Sequence, residues 1–155
     1  MTERTAGTAQ PSTADDTIAL GATLGAGLRA GDVVVLSGPL GAGKTVLAKG
    51  IAQAMDVEGP VVSPTFVLAR VHRARQADRP AMIHVDMYRL LDHAGADLLG
   101  ELDALDLDTD LEDAVVVVEW GEGLAERLSD HHLDIRIDRD PDSEVRTVTW
   151  QWNAP

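Results

Sequence analysis

No cysteine occurs among the 155 residues, which excludes disulfides and thiolate metal centres and fits a reducing cytoplasm. Aromatic residues are scarce too, at 3% against 45% hydrophobic overall. The core must therefore be built from Val, Leu, Ile and Ala, as suits an α/β sandwich. No apolar run approaches the ~20 residues that a membrane-spanning helix needs, and the N-terminus lacks the charged-then-apolar pattern of a secretion signal. A cytoplasmic protein with no membrane association is expected. Lysine is nearly missing, with only Lys44 and Lys49 present. The 26 acidic residues outnumber 13 basic ones, for a formal charge of −13. Long-range electrostatics would then repel DNA, or free RNA, unless the few cations cluster. The length suits a single core.

What is present reads as alternating strands and helices. Residues 1–11 are small, polar and aperiodic, as expected of a disordered tail, leaving 12–155 as one domain. Thr13 with Asp16 three residues on resembles a capping pattern, and Ile18, Leu20, Leu24 and Leu28 recur at helical spacing. Val33 to Leu36 and Ala114 to Val118 are continuously apolar, β-branched runs, the mark of parallel strands buried on both faces. Between them, Val46, Leu47, Ile51, Ala54 and Met55 form one apolar helical face that ends near Asp56. Phe66 to His72 and Ala81 to Asp86 read as two strands of a possible hairpin. Leu90 to Leu111 and Leu124 to Leu128 each hold a short helix, and Leu133 to Asp138 with Val145 to Trp152 makes a terminal antiparallel hairpin.

The first buried strand runs into Gly38-Pro39-Leu40-Gly41-Ala42-Gly43-Lys44-Thr45, a complete G-x-x-x-x-G-K-[ST] phosphate-binding loop. Each fixed residue has a separate task. Glycines let backbone N–H groups curl around phosphate oxygens where a Cβ would obstruct them. Lys44 is suited to bridge β- and γ-phosphates, and the Thr45 hydroxyl to ligate Mg²⁺. The helix that begins there adds the positive end of its dipole. A chance match in a chain of this length arises roughly once in two hundred sequences, so a decorative glycine-rich turn is a poor account of it.

Such a site also needs a carboxylate at the end of a neighbouring buried strand, to hold the ion or to polarise water. Asp86 and Glu119 both qualify, and spacing does not divide the roles between them. Ser63 and Thr65 lie where γ-phosphate-sensing loops usually sit, after the first helix and before the next strand. A proline-fixed turn with hydroxyls satisfying backbone groups is the plainer reading.

Taken together, the loop, Ser63-Pro64-Thr65-Phe66, His84-Val85-Asp86-Met87-Tyr88-Arg89-Leu90 and Val118-Glu119-Trp120 resemble the TsaE (YjeE) family in order and spacing, over roughly Thr13 to Ile137. The resemblance implies a single P-loop NTPase domain: three layers, αβα, with a mostly parallel central sheet and a C-terminal antiparallel hairpin. It implies a bacterial Mg²⁺-dependent ATPase of tRNA N6-threonylcarbamoyladenosine synthesis, slow alone and working with TsaD and TsaB, which hold the tRNA. By the same resemblance Gly38, Gly41, Ala42, Gly43, Lys44 and Thr45 cradle ATP, while Thr45 and Glu119, with Asp86, form the metal side. Lys44, Asp86 and Glu119 become the catalytic set. Ser63 to Phe66 becomes a nucleotide-responsive loop, Trp120 lies near the site, and Thr13 begins the helix beside the adenine. Gly121 stands where many relatives have proline or alanine.

Two rivals share part of this pattern. A small-molecule kinase would have the same loop and fold, with Arg70, Arg73, Arg75 and Arg79 as a lid. The Ser-Pro-Thr-Phe and Glu-Trp segments argue against it. A GTP switch would need an Asn-Lys-x-Asp segment, which the sequence lacks. The arginine cluster itself reads as either a solvated turn or a docking surface for a partner or RNA.

Overall fold

The computed structural model describes residues 6–38, 43–59, 69–86, 113–119, 132–139, 142–143 and 145–153. Among the described residues seven strands form one sheet: β1 (Gly7–Ala9), β2 (Val33–Ser37), β3 (Ala69–His72), β4 (Ala81–Asp86), β5 (Ala114–Glu119), β6 (His132–Arg139) and β7 (Arg146–Asn153). Their spatial order is β1-β7-β6-β2-β5-β4-β3. The central four, β6, β2, β5 and β4, are mutually parallel. Both flanks are antiparallel, through β3/β4 on one side and β6/β7/β1 on the other. The expected mostly parallel centre and both expected hairpins are therefore present.

Continuous valine-rich runs form β2 and β5 at the centre because both sheet faces are covered there. On one face Val34, Leu36, Val115, Val117, Leu133 and Ile135 pack against Leu47, Ile51 and Met55 of helix α2 (Lys44–Met55). On the other, Val33, Val35, Val116, Val118, Ile83 and Val85 are equally buried, as a three-layer architecture requires.

Helix α1 (Ala14–Gly25) starts where the sequence indicates, since the Thr13 hydroxyl accepts from Asp16 N–H at 3.1 Å. Such a cap contributes about 1 kcal/mol. The reciprocal bond of a full capping box is replaced: Asp16 Oδ2 accepts from the Ser12 hydroxyl, at 3.2 Å. Leu20 and Leu24, with Leu28 just beyond the helix, lean on the core. The two helices touch through glycine. A Cβ on Gly50 would overlap the Ile18 carbonyl, and one on Gly21 the Leu47 carbonyl. Gly50→Ala must force the helices apart, and urea unfolding is expected to report a loss of about 1–3 kcal/mol. An unchanged midpoint would mean that the helices separate without cost.

One expectation is corrected. Residues 7–9, assigned above to a disordered tail, form β1, pairing antiparallel with β7 at Gly7↔Trp150 and Ala9↔Val148. Gly7 lies so close to the Trp150 indole that any side chain there would collide with it. Backbone hydrogen bonding to an open sheet edge carries this strand, and side-chain periodicity has no part in it. The segments 61–68, 87–112 and 120–131 hold the other expected helices and loops and lie outside the described residues. Among those residues no helix is long and apolar enough to cross a membrane.

Candidate nucleotide site

β2 lies at the middle of the parallel region, with β5 on one side and β6 on the other. The chain leaves its C-terminal end at Gly38, and Gly43 is the N-cap of α2. In open α/β sheets the crevice beyond the carboxyl ends of the strands, where the strand order reverses, is where ligands bind.

Gly38 and Gly43 are needed for different reasons. Gly38 has φ +144° and sits against the Ile137 carbonyl of β6, so that a Cβ there meets backbone. Gly43 has φ +111° with open space around the missing Cβ; the left-handed backbone alone demands glycine. The start of α2 is also bare. Its N-cap offers no side-chain hydrogen bond and its first turn holds no acid, whereas α1 has both a threonine cap and Asp15 and Asp16. The first-turn N–H groups of α2 and the positive end of its dipole thus have no side-chain anion of their own.

Lys44 is the first residue of α2 and is only 5% exposed. Its ammonium donates to the Gly38 carbonyl at 2.8 Å, which ties the charge to the first residue of the loop. Thr45 faces Glu119, the last residue of β5. Its hydroxyl lies 3.4 and 3.5 Å from the two carboxylate oxygens, a long and weak contact. The ladder explains this meeting, because Leu36 is in register with Glu119 and the end of β5 lies beside the exit of β2. Glu119 is 5% exposed, a carboxylate kept almost out of water. A buried charge without partners is costly, and its closest partner is His84 of β4, whose Nε2 lies 2.5 Å from Oε2.

Asp86 ends β4 and is in register with Glu119, so the two strand-end acids share one rung on adjacent strands. The side chain of Asp86 lies outside the described residues, as do Gly41, Ala42, Ser63, Thr65, Phe66 and Trp120. Thr13 borders a cavity of about 170 Å³ together with Thr17, Gly43, Val46 and Arg146. The N-terminus of α1 thus adjoins the start of α2, and Thr13 itself serves there as the N-cap of α1.

Two of these residues escaped sequence reasoning. His84 appeared only inside a motif, although a histidine within the run Met82-Ile83-His84-Val85 is a polar group in a buried strand and therefore needs a partner. Arg146 gave no signal. It reaches the cavity because β7 runs back past the start of α1, where Arg146 N–H donates to the Pro11 carbonyl at 3.0 Å.

The arginine cluster lies elsewhere, with Arg70 in β3 and Arg73, Arg75 and Arg79 on the β3–β4 turn. Arg75 pairs with Asp56 at 3.5 Å and Arg79 donates to the Ala54 carbonyl at 3.4 Å. These contacts fasten the hairpin to the C-terminal end of α2, where cations complement the helix dipole. At these exposures the ion pair adds little stability.

Comparison with known proteins agrees with this arrangement. Residues 11–148 match the family described as threonylcarbamoyl adenosine biosynthesis protein TsaE. A protein named tRNA threonylcarbamoyladenosine biosynthesis protein TsaE from Mycobacterium tuberculosis is 72% identical over 146 residues, covering 94% of this chain and 87% of that one. One of the same name from Streptomyces coelicolor is 53% identical over 133 residues, covering 84% and 86%. In fold, the chain is similar to the crystal structure of YdiB from Bacillus subtilis, with a TM-score of 0.69 at 24% identity over 100% of this chain and 90% of that one. With the family matched from the start of α1 into β7 and such identity to its named members, the chain belongs to the TsaE family of threonylcarbamoyl adenosine biosynthesis proteins.

Proposed function

We propose that this protein binds ATP with Mg²⁺ and hydrolyses it in the pathway that makes N6-threonylcarbamoyladenosine in tRNA, in the cytoplasm and in complex with TsaD and TsaB homologues. The observation that carries the reading is the uncapped start of α2, with buried Lys44 on one side and the Thr45–Glu119 pair on the other. The N–H groups of its first turn and the Lys44 ammonium would attract the β- and γ-phosphates. In this reading the adenine end of the nucleotide would lie toward the cavity between Thr13 and Arg146, which borders Gly43.

Fit to Mg²⁺ rests on donor chemistry. Thr45 and Glu119 offer hard oxygens, which Mg²⁺ prefers, and a gap of 3.4–3.5 Å is one that a single ion with bonds of about 2.1 Å can bridge. Among the described residues no group of three or more His, Cys, Asp or Glu is arranged to cage a metal. That agrees with an ion held by one or two protein oxygens, the substrate phosphates and water. What a bound Mg²⁺ supplies there is neutralisation of the charge that develops on the phosphate oxygens. Lys44 adds a further positive charge. Glu119, with Asp86 level with it on the neighbouring strand, is the carboxylate available to hold the ion or to orient the attacking water.

A formal charge of −13 makes direct capture of tRNA unfavourable, which favours partner subunits as the tRNA-holding component. The test is ATP turnover by the purified chain alone and with TsaD and TsaB from the same source. Slow turnover alone and a rise of at least tenfold with both partners is the expected result. No stimulation, together with ATP-dependent phosphorylation of a metabolite by the lone chain, would replace this reading with a kinase.

A further inference from the structure

We infer that His84 is a positioning residue for the metal side of the site, holding the Glu119 carboxylate in the orientation that faces Thr45. This rests on the nucleotide reading above and adds a residue to it.

His84 is fully buried in the middle of β4, in register with Val117 and thus two rungs short of Glu119 in the parallel ladder. A residue at that place in a sheet interior is ordinarily aliphatic, as Met82, Ile83 and Val85 around it are. The imidazole instead spans the two-rung offset and puts Nε2 2.5 Å from Glu119 Oε2. The other ring nitrogen, Nδ1, is buried with no hydrogen-bond partner. In many histidines a second partner fixes the tautomer from behind. Here the bond to Glu119 alone selects the form that carries hydrogen on Nε2, because a carboxylate oxygen can only accept.

Burying an imidazole with one nitrogen unsatisfied is costly, and an apolar side chain would avoid that cost. The gain lies at Glu119. Its long contacts with Thr45, at 3.4 and 3.5 Å, are too weak to fix a carboxylate. The short bond from His84, in surroundings that exclude water, is the strong one. It fixes Oε2, the oxygen 3.4 Å from the Thr45 hydroxyl, and with it the orientation of the whole carboxylate toward Thr45. Partners that orient a ligating group commonly change metal affinity or activity by about 10–100-fold when removed.

The test uses the full chain with His84→Met, His84→Gln and His84→Asn, titrated calorimetrically with AMP-PNP in excess Mg²⁺ and in EDTA. A glutamine can place its amide N–H near the position of Nε2, whereas an asparagine is one carbon shorter and reaches only the position of Nδ1. Expected is a fall of about tenfold or more in the Mg²⁺-dependent part of the affinity for the Met and Asn variants, EDTA affinity within about twofold of wild type, and substantial recovery in the Gln variant. ATP turnover should follow the same order, with kcat changed more than KM. If Met does not fold, Gln against Asn decides the matter: equal Mg²⁺ dependence in that pair, or a folded Met variant that matches wild type, overturns the role of His84 alone. Wild-type protein that binds no AMP-PNP in either condition overturns the nucleotide reading and this inference with it.

Discussion

Lys44→Ala is expected to lower ATP affinity by roughly ten- to a hundredfold, because a hydrogen bond to a charged group is worth about 1.5–3 kcal/mol and about 1.4 kcal/mol is a factor of ten. Two features of this site favour the upper part of that range. The ammonium is almost fully buried and bound to the Gly38 carbonyl, so it reaches a phosphate from a pre-set position and loses little entropy in doing so. It is also one of only two lysines in a chain of net charge −13, and the other, Lys49, lies more than a turn further along α2. Fluorescence or calorimetric titration with ATP checks the result. A variant that binds and turns over ATP like wild type would mean that the phosphates lie elsewhere.

Glu119→Gln should separate binding from chemistry. Glutamine keeps the shape of the side chain and retains an oxygen that can accept from His84, so the fold and the approach to Thr45 are largely kept. What is lost is the negative charge. A carboxylate that holds the ion or orients water contributes about a hundredfold or more to rate, so kcat measured with both partner proteins should fall by at least that factor. Affinity for ATP in EDTA should change by less than about threefold, since no metal is then involved. Equal losses in both measurements would place Glu119 in nucleotide binding and leave the catalytic work to Asp86.

The limits of sequence reading can be traced to particular residues. The strands at Val33 and Ala114 and the helix at Lys44 were legible because burial on both faces and a 3.6-residue apolar period are local patterns. Thr13 announced itself through the chemistry of a cap. β1 was missed because its pairing with β7 uses backbone groups that every residue carries, and because Gly7 earns its place by leaving room for Trp150. The arginines of the β3–β4 turn suggested a docking surface by charge alone. In the structure Arg75 and Arg79 fasten that turn to the end of α2.

The sequence by itself determined the loop from Gly38 to Thr45, the character of the elements on either side of it, and two strand-end acids as candidates. These follow from steric and hydrogen-bonding rules that act over a few residues. Only the tertiary structure decided that Glu119, 74 positions from Thr45, comes to face it, and that His84, 35 positions before Glu119, grips the same carboxylate. The physical reason is the order and register of the parallel strands. Setting β5 between β2 and β4, with Leu36 and Asp86 both level with Glu119, is a choice made by the packing of the whole sheet.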